Sequence, residues 1–271
     1  MNRVTQRKQS ERGFSLIEMI TVVAILTLVM GVVFRQIISV QQRYRSEETK
    51  LDIGQEGREF LDQMVRDLHQ VGYPTYHIYT ATVANTDQRM AAGLVKYAYN
   101  DVWFEGDVDG DGQVEVVRYT LNAPSGSCPC SIQRSMTKKL NNTAPLSQTS
   151  TSYSTELDNV VNSGGSGGGG TNGAYAITGN STIYSGGATS SVTNDSLYGG
   201  LASPYVFQAF DASGNAVAPT DIATSPTTLA SIRSIQITIN VLAKQSASDL
   251  QTLRRPAVSL TATARILNPM N

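Results

Sequence analysis

Between Leu16 and Phe34 the only ionisable residue is Glu18, set in a run that is otherwise almost wholly apolar. A carboxylate inside such a segment costs about 2.5–3.5 kcal/mol on membrane-insertion scales, so it is retained where something pairs with it. The nearest potential cation is the amine that a cut after Gly13 would create on Phe14. An α-amine ordinarily titrates at about 7.7–8.0 and is largely protonated at neutral pH, so it could supply that charge. A second constellation lies at Asp107-Val108-Asp109-Gly110-Asp111-Gly112-Gln113-Val114-Glu115. Acids at alternate positions followed by glycine match the first half of a calcium-binding loop. The bidentate acid expected at the twelfth position is missing, because Arg118 stands there, and Glu115 would substitute if the loop closed early. The same residues also read as a polar turn between two strands, since Asp-Gly is a strong hairpin signal. Sequence leaves calcium and bare turn equally open. The third pair is Cys128 and Cys130, separated by Pro129. An exported domain would oxidise them, yet a bridge across one residue closes a very tight ring. No second Cys or His pair lies nearby to complete a metal site.

Arg12-Gly13-Phe14-Ser15-Leu16-Ile17-Glu18, behind a leader carrying Arg3, Arg7, Lys8 and Arg12 against one acid, resembles the processing motif of type IV prepilins and type II secretion pseudopilins. The resemblance implies a peptidase cut after Gly13, N-methylation of Phe14, and pairing of Glu18 with the amine of a neighbouring subunit. An ordinary signal peptide would instead end its apolar core in a small-residue cleavage site. Here Val33-Phe34-Arg35-Gln36 follows, without one. A plain anchor of about 20 residues would account for the length but not for Glu18. Residues 58–73, including Phe60-Leu61-Asp62-Gln63-Met64-Val65-Arg66-Asp67-Leu68, resemble PilW-like minor pilins and J-type pseudopilins. That resemblance implies the α+β pilin-like fold and a subunit of the complex that initiates and tips a filament. Its partners would be prepilin peptidase, other minor and major pilins, and the inner membrane. The precursor would cross that membrane once with a periplasmic head, and later stand in a pilus or pseudopilus at the cell surface. A pilus subunit is the first expectation, a J-type pseudopilin the alternative, and a pilin-anchored calcium-dependent adhesin the rival from another class.

Composition agrees with a structural role. The chain has 271 residues with 21 basic and 22 acidic side chains, enough for an anchor and one globular domain. Loss of residues 1–13 would remove four basic residues and one acid, leaving a formal charge of −4. No clustered Lys and Arg suggest a nucleic-acid partner. The two histidines, His69 and His77, stand without a nucleophile elbow. The glycine tract at 164–170 has no Lys-Ser/Thr ending to cradle phosphate. The chain reads as no enzyme, with no required cofactor and calcium as the optional one.

The elements that must position these groups follow from periodicity. No proline occurs from Phe14 to Val71, and these 58 residues predict one helix of about 87 Å. Residues 14–38 form its transmembrane and assembly part, behind the leader 1–13, and 39–73 its amphipathic continuation. Phe60, Leu61, Met64, Val65, Leu68 and Val71 recur at three- and four-residue spacing, a stripe suited to cover a sheet. Gly54 and Gly57 predict a bend, and Gly72-Tyr73-Pro74 a stop. Residues 74–271 predict a β-rich head with strands at 76–83, 94–104 and 114–121. Ile235, Ile237, Ile239 and Val241 alternate with polar residues, and 258–266 does the same, predicting an antiparallel pair with one buried and one wet face. A Ser, Thr, Asn and Gly-rich stretch at about 141–203 reads as an insertion with short strands near Tyr175-Ala176-Ile177 and Ile183-Tyr184.

Processing is checked by mass. The mature chain should begin at an N-methylated Phe14, and Gly13→Val should leave the full precursor in the membrane, because a branched side chain crowds the scissile bond. A mature chain beginning at Met1, or anywhere beyond Phe34, contradicts the motif.

Overall fold

In the computed structural model, the residues described are 15–74, 86–122, 127–128, 130–148, 152–162, 176–177, 205–243 and 257–267. The expected strand at 76–83, His77 and the Ile183-Tyr184 segment lie outside them, as do Gly13 and Phe14. The chain divides into two units, Met1–Glu48 and Thr49–Asn271.

Proline-free sequence yields one helix, α1, over Leu16–His69. It runs on without a break through Gly54 and Gly57, which the sequence suggests as a bend. In the first unit no described residue covers the apolar side chains of the helix. Leu16 to Phe34 are exposed throughout, so this half depends on lipid or other chains for cover. Thr21 and Thr27 cost little there, because their hydroxyls donate to carbonyls three and four residues back, at 2.9–3.0 Å.

In the second unit the predicted stripe is the buried one. Ile53, Phe60, Leu61, Met64, Leu68 and Val71 all join the main core. Gly57 lies in the same stripe for a steric reason. A Cβ there would meet Leu260 Cδ1 at 2.6 Å and Ile239 Cδ1 at 3.2 Å, so the helix backbone approaches the sheet closely at this turn. Asp67 is the polar member of the stripe and is satisfied: Tyr119 donates its hydroxyl at 2.7 Å and Arg134 its Nε at 3.0 Å. The helix ends at His69, with Gly72 at φ +75° beyond it, a backbone that favours glycine.

The head is built on one antiparallel sheet. Its strands are β1 (Leu94–Ala98), β2 (Asp101–Gly106), β3 (Glu115–Asn122), β5 (Cys130–Lys138), β6 (Ser154–Val160), β8 (Phe207–Phe210), β9 (Thr220–Asp221), β10 (Ser234–Leu242) and β11 (Ala257–Arg265). The order is β11-β10-β6-β5-β3-β2-β1-β9, with β8 also pairing β10. Strands β4 (Ser127–Cys128) and β7 (Ala176–Ile177) form a separate parallel pair. A short helix, α2 (Pro226–Ser231), packs against β1 and β9. The β10–β11 register sets Ile235 opposite Ala264, Ile237 opposite Ala262, Ile239 opposite Leu260 and Val241 opposite Val258, which is the predicted antiparallel pairing.

Three features differ from expectation. The run 94–104 is not one strand but the hairpin β1–β2, with Tyr99 and Asn100 between the paired Ala98 and Asp101. Its aromatic and β-branched content shows strand preference without showing where the chain reverses. Strand β6 lies inside the Ser/Thr/Asn-rich segment yet sits in the middle of the sheet, with Leu157 and Val160 fully buried. Polar residues between those two hide a strand that pairs both with the preceding β5 and with the remote β10. Finally, β10 has no wet face in its second half: Thr238 and Asn240, on the side that the alternation assigns to water, are buried as well. Beyond the main core, Val95, Trp103 and Val116 form a second cluster, against which Leu146 and Ile222 pack.

Packing at Gly57 gives a test of the helix–sheet contact. Gly57→Val forces Leu260 and Ile239 aside, and overpacking of this kind costs about 1–3 kcal/mol. Denaturant unfolding should show that loss. Gly31→Val, at a position where a Cβ meets nothing within 4 Å, should leave the head's unfolding unchanged.

Candidate functional site

Among the described residues, two places combine chemistry with exposure: the start of α1 and the loop between β2 and β3. At the first, Glu18 lies in the opening turn of the helix, exposed, with its amide donating to Ser15 O at 3.0 Å. It is surrounded along the helix by exposed Leu16, Ile17, Met19 and Ile20. A carboxylate among apolar neighbours on such a surface is costly to keep away from water unless a cation meets it.

The second place is held by the end of α1 and by three strands. Gly106, the last residue of β2, passes so close to the helix end that a Cβ there would collide with Gln70 O. Gly72 donates its amide to Glu105 O at 2.9 Å, and Asp107 donates its amide to Tyr73 O at 2.8 Å. Below the loop, Glu105 and Lys139 form a fully buried ion pair at 2.5 Å. Ala92 N also donates to Glu105 Oε2, at 2.8 Å, and Lys139 Nζ donates to Met90 O at 2.8 Å. Burial pushes the Glu105 carboxyl up, and the Lys139 ammonium works against that shift. Breaking such a pair on one side strands a buried charge, which is why it restricts how the loop's base can rearrange.

From this base residues 107–114 cross from β2 to β3. Asp107 is buried and accepts the amides of Gly110 at 2.7 Å and Gly112 at 3.0 Å. Asp109 is exposed and accepts the amide of Asp111 at 3.0 Å. Glu115 opens β3, only 2% exposed, with Val108 N donating to its Oε2 at 3.2 Å. One carboxylate oxygen from each of Asp107, Asp109 and Glu115 lies within 4.8 Å of the others. Asp111 stands outside this trio. Its carboxylate receives Gln113 N at 2.8 Å and the ammonium of Lys138 at 3.0 Å. Lys138 arrives there because it pairs with Glu115 across β3–β5, a register that no local sequence signal discloses.

Charge is concentrated at this loop. Two full negative charges 4.8 Å apart repel by about 3.5 kcal/mol at an effective dielectric near 20. Burial, and then the carboxylates of Asp109, Asp111 and Asp107, push the Glu115 carboxyl up to about 7. Hydrogen bonds to Gln113 N and Lys138 hold Asp111 below its usual range.

The remaining sequence candidates lie apart from both places. Cys130 is buried in β5 and disulfide-bonded, and Cys128 is the only other cysteine in the chain. His69 is half-buried on the last turn of α1, beside Arg66 and Asp62.

Glu115 makes the fold sensitive to pH. Its folded pKa lies above the ordinary glutamate value near 4.5, so the folded chain holds this proton more tightly than the unfolded chain. The stability this adds is fully present below about 4.5 and is lost as pH rises through about 7. In chelator, Glu115→Gln should therefore be more stable than the parent at pH 8, by on the order of 1–3 kcal/mol, with the difference gone at pH 4. Parallel unfolding curves at both pH values would contradict the shift.

Comparison with known proteins adds one match. Residues 8–34 match the family model described as the prokaryotic N-terminal methylation motif. No curated protein and no solved structure matches the chain. Together with the long N-terminal helix and the antiparallel sheet, the match supports the type IV pilin and pseudopilin family: this chain carries a prepilin-type N-terminus and the α+β architecture of a type IV pilin-like fold.

Proposed function

We propose that this chain is a structural subunit of a type IV pilus, a minor pilin of the complex that initiates the filament and stands at its tip. The observation that carries the reading is Glu18 alone among exposed apolar residues, inside the matched N-terminal methylation motif. Prepilin peptidase would cut after Gly13 and leave the amine of Phe14. In the assembled filament, Glu18 of one subunit accepts the charged amine of its neighbour, and the apolar helices bury one another. The precursor spans the inner membrane once, by an apolar helix long enough to cross it. Its head lies in the periplasm until assembly.

The size of the head favours a minor over a major subunit. It combines a nine-stranded sheet with a long segment between β6 and β8, in keeping with the PilW-like and J-type subunits that residues 58–73 resemble, which are larger than major pilins. A J-type pseudopilin of a type II secretion system shares the motif, and the resemblance of residues 58–73 extends to both. Tagged chain recovered with sheared surface pili supports the pilus reading, whereas recovery only with secretion-system components supports the pseudopilin.

Glu18→Val separates assembly from processing. The variant should insert at least as well as the parent and be cut after Gly13, because removing a carboxylate eases insertion by about 2.5–3.5 kcal/mol. It should nevertheless be absent from filaments, since the neighbour's amine is left unpaired in an apolar bundle. Normal co-purification of the variant with pili would remove Glu18 from the assembly role.

A further inference from the structure

We propose that the β2–β3 loop is a calcium site, with Asp107, Asp109 and Glu115 as its side-chain ligands. Calcium takes oxygen ligands at about 2.3–2.6 Å, so oxygens on opposite sides of one ion stand about 4.6–5.2 Å apart. One oxygen from each of the three residues falls within 4.8 Å of the others, a spacing that a single ion spans. A second observation is independent of that clustering. Glu115 is 2% exposed, and its Oε1 has no hydrogen-bond partner. Buried carboxylate oxygens in native proteins are almost always met by a donor, because leaving one unmet is costly. This one belongs to a carboxylate already inside the acidic trio, where a cation meets it and no backbone amide does.

The existing hydrogen bonds hold the ligands without using them up. A carboxylate offers about four lone-pair positions. Asp107 uses one on Gly110 N and one on Gly112 N, Asp109 one on Asp111 N, and Glu115 one on Val108 N. Each therefore keeps capacity for an ion while being fixed in place by the chain. Three carboxylates with no imidazole or thiolate select a hard cation over zinc or copper. Magnesium demands a near-ideal octahedron at about 2.0–2.1 Å and holds its waters, so a compact trio of charged oxygens favours calcium. Backbone carbonyls and water complete the shell. Lys138 stands beside the trio on Asp111 and lowers the net negative charge, which places the affinity in the weak class, with Kd about 10⁻⁴–10⁻³ M.

The test uses the full chain in detergent micelles, titrated calorimetrically with calcium chloride and separately with magnesium chloride. Two single-residue variants decide the assignment: Asp109→Asn, an exposed ligand, and Asp111→Asn, its exposed neighbour outside the trio. Unfolding in chelator confirms that both variants keep the parent fold. The expected result is one saturable calcium event, weakened at least about tenfold in Asp109→Asn and changed less than about threefold in Asp111→Asn, with magnesium weaker than calcium. No saturable heat up to about 10 mM calcium, ten times the weak end of that class, overturns the site. Parent-like binding in Asp109→Asn, or equal losses in the two variants, overturns the ligand assignment. Magnesium binding as tight as calcium overturns the choice of ion.

Discussion

Glu105, buried near the end of β2, is the junction on which the head depends. Its carbonyl takes the amide that follows the helix, Gly72 N, and its amide reaches Gly93 O. Its carboxylate takes Ala92 N and the Lys139 ammonium. One residue of β2 thus ties the end of α1, the approach to β1 and the exit of β5 into a single buried node. The node is costly in isolation, because each ion gives up its hydration, and it holds only because several donors converge on the same carboxylate. The acidic loop begins two residues later. Its geometry is inherited from this node, since Asp107 N is itself bonded to Tyr73 O.

The helix that ends at this node serves two different solvents. Its second half is a polar surface with a buried stripe, and the stripe is selected by residue spacing. Its first half is apolar on every side, with no described residue covering it. A segment of that kind is stable only where lipid or another apolar helix replaces water, so the physics of the first half is intermolecular by construction. Glu18 is the exception on that surface, the one ionisable side chain between Leu16 and Phe34.

Asp67 is the corresponding exception within the head. Sequence pattern groups it with Arg58, Glu59, Asp62 and Arg66 on the charged face of the helix, yet it is buried. Tyr119 on β3 and Arg134 on β5 both reach it, and Arg134 also lies over the Tyr119 ring at 5.9 Å. A single acid therefore orients the helix on two particular strands. Apolar packing, being non-directional, leaves that orientation open.

Local patterning determined much of this protein. The prepilin-type motif, the uninterrupted helix, its buried stripe and the β10–β11 pairing all depend on residues close in sequence, with periods of 3.6 or 2 that can be counted along the chain. The acids of the β2–β3 loop were equally legible as a cluster. What tertiary structure alone decided was which of them face one another. Asp111 was drawn away to Lys138, because β5 pairs with β3 in a register that sets Lys138 opposite Glu115. Glu115 was carried inward as the first residue of β3, leaving one oxygen without a donor. Strand β6 likewise entered the sheet from a segment whose composition promised little, since it is inserted between β5, which precedes it, and β10, which is remote in sequence. Contacts between residues distant in the chain leave no period to read, and burial follows from them.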